Sequence, residues 1–109
     1  METINKTGNP VIAQEIIAAI QEVYDPELPV NVYDLGLIYR IEITENLEVE
    51  ILMTLTSPNC PEAESIPLKV QQAVTAVKGI ISVSVSLTFE PTWNADMLSD
   101  EAKLEMGLF

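Results

Sequence analysis

Residues 39–55 read Tyr39-Arg40-Ile41-Glu42-Ile43-Thr44-Glu45-Asn46-Leu47-Glu48-Val49-Glu50-Ile51-Leu52-Met53-Thr54-Leu55, and this stretch decides the fold. Tyr39, Ile41 and Ile43 alternate with Arg40, Glu42 and Thr44. Leu47, Val49, Ile51, Met53 and Leu55 then alternate with Glu48, Glu50 and Thr54. A period of two marks half-buried strands. Glu45-Asn46 between them predicts a hairpin turn, because Asn tolerates positive φ. Strands with one apolar and one polar face need covering on one side only.

Working outward, residues 81–89 show the same period: Ile81, Val83, Val85, Leu87 and Phe89 against Ser82, Ser84, Ser86 and Thr88. Before the hairpin, Asn9-Pro10 reads as a helix start, with Asn as N-cap and Pro at the first helical position. Ile12, Ile16, Ala19, Ile20 and Val23 give that helix, about 10–24, an apolar face, and Asp25-Pro26 ends it. Residues 25–37 predict an ordered loop, since Leu28, Val30, Val32 and Leu35 are too apolar for water. Asp34-Leu35-Gly36 reads as a tight turn that requires Gly. Between hairpin and last strand lies a second helix with Ile66, Val70, Ala73, Val74 and Val77 on one face, stopping at Gly79. Pro67 inside it implies a kink or a loose first turn.

The expected architecture is therefore α+β: a two-layer α/β sandwich in the order α-β-β-α-β. Its mixed sheet has three strands, with the 39–43 strand central and helices on one face. Residues 1–109 are read as a single domain, with 1–8 a flexible tail. Residues 91–109 form a C-terminal tail with a short helix capped by Ser99. Trp93 in that tail is either packed on the core or an anchor for a partner.

Composition narrows the function. Lys and Arg number 5 against 17 Asp and Glu, a formal net charge of −12. Such a surface repels phosphate backbones and anionic lipid, so neither nucleic acid nor membrane is an expected partner. The charge serves solubility, or it selects partners with basic faces. No apolar run approaches the ~20 residues of a membrane span. The polar, acidic N-terminus is unlike a signal peptide, and a single Cys fits a reducing compartment. A cytoplasmic location is expected. The chain has no His, which removes the Ser–His and Cys–His hydrolytic pairs, and an enzyme is not expected.

Cys60 is the first candidate for chemistry. It precedes Pro61 near the expected start of the second helix, where free N–H groups and the helix dipole stabilise a thiolate. Glu62 and Glu64 oppose that effect, and a small buried hydrophobe is the alternative. Asp25 and Glu27 flank Pro26 and could ligate a metal or tune a thiolate. Alternatively, Asp25 ends the helix and Glu27 is solvated.

Four motifs occur in order: Asp25-Pro26-Glu27, then Asp34-Leu35-Gly36-Leu37-Ile38-Tyr39, then Met53-Thr54-Leu55-Thr56-Ser57-Pro58-Asn59-Cys60-Pro61, then Pro91-Thr92-Trp93 followed by Asp96-Met97-Leu98-Ser99. Together they resemble the metal–sulfur cluster assembly family of SufT and PaaD type, across nearly the whole chain. PaaD-type members carry extra cysteines and carrier fusions add a P-loop domain. Neither is present here, so the stand-alone SufT-like form is the nearer likeness.

The resemblance implies the iron–sulfur cluster assembly domain fold and an accessory role in assembling clusters or transferring them to client apoproteins. It makes Cys60 the functional thiol and a transient cluster ligand, with Asp25, Glu27 and Thr56 lining the same site. The implied cofactor is a labile iron–sulfur cluster. The implied partners are the assembly machinery and clients, with a homodimer as one way to add ligands. The competing reading is a metal-free adaptor that recruits clients, with Cys60 structural. The hairpin returns the chain to the end it left, so the loop before its first strand neighbours the loop after its second. The nearer of the Asp25 and Glu27 carboxylates is therefore expected within ~10 Å of the Cys60 sulfur, about one Debye length at 0.1 M salt.

Overall fold

The structure, a computed structural model, describes residues 2–24, 30–55 and 65–105. Asn9 starts the first helix as its residue type dictates. Its side-chain oxygen accepts the Val11 N–H at 3.0 Å, and Pro10 occupies the first helical position. Helix α1 (Pro10–Ile20) buries Ile12, Ile16 and Ile20. It stops four residues earlier than expected. Tighter backbone bonds from Glu22 to Ala19 and from Val23 to Ile20 then carry the chain to Val23, which is buried as well.

Among the described residues, four strands make the sheet rather than three. Strand β1 (Glu2–Asn5) pairs parallel with β2 (Ile38–Ile43), which pairs antiparallel with β3 (Glu48–Met53), which pairs parallel with β4 (Ser82–Leu87). Thus residues 2–5 form an edge strand where a tail is expected. The order β1-β2-β3-β4 also corrects the expectation that the 39–43 strand separates the other two. With β1 along the outer edge of β2, the strand that follows the second helix takes the free edge of β3. Its register aligns Val83 with Val49 and Val85 with Ile51, so apolar faces coincide.

Helix α2 (Ser65–Thr75) buries Ile66, Val70 and Val74 and packs against both α1 and β4. Pro67 stands in its first turn, where no intrahelical N–H is lost, so a loose start resolves the difficulty rather than a kink. Both helices share one core with Ile41, Ile43, Val49, Ile51 and Met53, leaving the opposite sheet face open. The hairpin turn places its left-handed residue at Leu47, φ 63°, and not at Asn46, so β3 begins only at Glu48. As expected, Ser99 caps the short C-terminal helix α3 (Asp100–Glu105): its hydroxyl accepts the Ala102 N–H at 3.1 Å.

Candidate functional site

The turn that opens β2 is built by one polar side chain. Asn31, buried with Val30, Val32, Leu35 and Leu37, accepts the Asp34 N–H at 2.9 Å and donates to the Asp34 carboxylate at 2.9 Å. Both halves of the amide are satisfied, so burial costs little. Gly36 completes the turn at φ +79°, as the sequence requires.

The C-terminal segment is clamped on this turn. The Trp93 indole N–H donates to the Leu35 carbonyl at 2.6 Å, and the Ser99 N–H donates to the Asp34 carbonyl at 2.9 Å. Trp93 is half-buried against the core, which favours its packing role. A register shift between Ile38 and Arg40 takes Tyr39 out of the alternation in which the sequence placed it. Its hydroxyl instead donates to the Pro91 carbonyl at 2.7 Å and lies 3.6 Å from the Met97 sulfur. Tyr33, Gly36, Ile38, Tyr39, Pro91 and Met97 enclose a cleft of about 390 Å³ between turn and clamp. The strand alternation gave no sign of this bulge.

Burial pushes the Tyr39 phenol above the ordinary tyrosine range, and a hydrogen bond from Thr54 offsets part of the rise. The folded chain then holds this proton more tightly than the unfolded chain. That contribution is complete below the unfolded pKa of ~10 and is lost as pH rises through the higher folded value. Urea unfolding between about pH 9 and 11 should therefore show a steeper loss of stability for the wild type than for Tyr39→Phe. Parallel curves would remove Tyr39 from this account.

Asp25, Glu27, Thr56 and Cys60 lie outside the described residues. Their flanking residues are described and are joined. The Val32 N–H donates to the Val23 carbonyl at 2.8 Å, Leu37 N–H to Val32 carbonyl at 3.2 Å, and Thr54 N–H to Leu37 carbonyl at 2.8 Å. Tyr24 and Asn31 also form a β-bridge across the ends of segment 25–29. A continuous run of backbone hydrogen bonds thus ties the end of α1 to the end of β3, the roots of the two segments that carry the candidate residues. On the helix side, Glu22, Val23 and Tyr24 share a hollow of about 540 Å³ with Lys69, Gln72 and Ala73 of α2. Among the described residues, no group of three His, Cys, Asp or Glu is arranged to hold a metal ion. No described helix is long and apolar enough to cross a membrane.

Residues 13–87 match the family model described as iron–sulfur cluster assembly protein. The chain belongs to that family. Within the iron–sulfur cluster assembly family it is 52% identical over 94 residues to the Fe-S protein maturation auxiliary factor of Porphyromonas gingivalis, covering 86% of this chain and 90% of that protein. It is 34% identical over 97 residues to the Fe-S protein maturation auxiliary factor YitW of Bacillus subtilis, covering 89% and 95%. The crystal structure of a DUF59 domain from Bacillus anthracis superposes with a TM-score of 0.84 at 32% identity, covering 91% of this chain and 94% of that one. The family match spans α1 through β4, and the structural likeness covers nine-tenths of the chain.

Proposed function

We infer that this chain is an accessory factor in the maturation of iron–sulfur proteins, with the cluster as cargo. The observation that carries the reading is the hydrogen-bonded run from Val23 through Val32 and Leu37 to Thr54, in a chain of this family. It supports one site formed by Asp25, Glu27, Thr56 and Cys60, because the two segments bearing them rise from adjacent backbone. One thiolate per chain is far short of the four that clusters usually take. The remaining ligands come from carboxylates, a small thiol, a second chain or the client itself. Such weak ligation suits delivery to an apoprotein better than storage. The role is delivery and not catalysis, since a chain without His offers Cys60 no imidazole base. Its partners are the cytoplasmic assembly machinery and client apoproteins.

Purification without oxygen, followed by loading with ferrous iron and sulfide, tests this reading. The wild type is expected to retain iron and acid-labile sulfide, and Cys60→Ser to fall to background. Asp25→Asn with Glu27→Gln should retain less than the wild type. Equal retention by wild type and Cys60→Ser would overturn the thiol's role, and retention by neither would leave the metal-free adaptor.

A further inference from the structure

The outer edge of β4 departs from the rest of this acidic chain. No charged residue and no proline stands between Lys78 and Glu90, although edge strands are commonly blunted by both. The Thr88 N–H donates to the Met53 carbonyl at 2.9 Å. By the two-residue period of the ladder, the backbones of Ser84 and Ser86 face β3, and those of Val83, Val85 and Leu87 face outward. The Gln71 side chain, reaching from α2, donates to the Val83 carbonyl at 3.1 Å and covers that end. Beyond it, no described residue pairs with the outward groups of Val85 and Leu87.

This open stretch carries an apolar border and an acidic one. On the helix side, Leu87 and Phe89 are 39% and 37% exposed. Leu68, one turn before Gln71 on the same side of α2, is 51% exposed. On the open sheet face, Glu42, Glu50, Ser84 and Ser86 line a trough of about 220 Å³ beside Arg40. Glu42 is paired with Arg40 and Lys6, but among the described residues neither Glu48 nor Glu50 forms an ion pair. The serines between these glutamates and the edge are short. A long cationic side chain on an added strand, two strand spacings or roughly 10 Å from β3, can lean across them.

We propose that the Val85–Leu87 edge is a docking site for an extended segment of a partner protein that alternates basic and apolar residues. The segment joins the sheet as a fifth strand through the outward backbone groups of β4. Its apolar side chains meet Val85, Leu87 and Leu68, and its Lys or Arg side chains cross the serines to Glu48 and Glu50. A second copy of this chain would offer the edge an uncharged strand on a body of the same charge, so it leaves those glutamates unmatched.

The test titrates the full chain, isotopically labelled, with the peptide acetyl-(Lys-Val)4-amide and follows backbone amides by NMR. Expected are shifts and slowed hydrogen exchange centred on Val85 and Leu87, weakening with added salt. Glu48→Gln with Glu50→Gln should weaken binding about fivefold, the worth of two exposed ion pairs. Val85→Pro removes an outward donor without touching the β3 ladder and should abolish it. The charge variants decide the matter if that protein does not fold. Binding of acetyl-(Glu-Val)4-amide with equal strength would overturn the proposal. So would silent amides at Val85 and Leu87, or a concentration-dependent dimer that Val85→Pro dissolves.

Discussion

Gly36→Ala is expected to cost about 3 kcal/mol, with a fall in Tm of roughly 15 °C for a chain of this size. Two effects add. A side chain at φ +79° enters the left-handed region, at about 1 kcal/mol for Ala. The new methyl would also clash with the Met97 carbonyl oxygen, a backbone atom that cannot swing aside alone. Relief requires the clamp to lift, and lifting it strains the Trp93–Leu35 and Ser99–Asp34 hydrogen bonds, each worth about 1 kcal/mol. Urea unfolding measures the loss. A change below about 0.5 kcal/mol, as at ordinary surface positions, would mean the clamp is not seated on the turn.

Trp93→Ala is the second large effect, also about 3 kcal/mol, since it removes a half-buried ring and the indole donor together. Trp93→Phe separates the two contributions. It keeps most of the apolar contact and leaves the Leu35 carbonyl without its donor, so it should cost about 1–2 kcal/mol. If neither variant unfolds at lower urea than the wild type, the ring is a partner anchor and not part of the core.

The legible parts of this fold were those where one residue type does one physical job. Asn9-Pro10 could only start a helix, and the turn at Gly36 could only be glycine. Ile12, Ile16 and Ile20 could only face a core. Strand β1 was not legible because Glu2-Thr3-Ile4-Asn5 carries a single strong apolar residue, and its place is won by backbone pairing to Arg40–Ile43. Nor does alternation name a strand's neighbour. The pattern of residues 81–89 fits either edge of the hairpin, and it hid that Leu87 on the edge strand and Ile81 and Phe89 beyond its ends stay substantially exposed. At the site, residue chemistry singled out Cys60, Asp25 and Glu27, whereas the backbone run from Val23 to Thr54 joins positions far apart in sequence. Tyr39 was placed on the apolar face of its strand because a bulge shifts register without changing composition.

The clamp sets an order of assembly during synthesis. All four strands have been made by Leu87, but the turn that roots segment 25–29 gains Trp93, Met97 and Ser99 only afterwards. A nascent chain emerging from the ribosome can close its sheet while that turn is still uncovered. The turn that roots segment 25–29 is therefore braced only after the sheet is complete, and a chain interrupted before Trp93 lacks the hydrogen bonds that seat the clamp on Asp34 and Leu35.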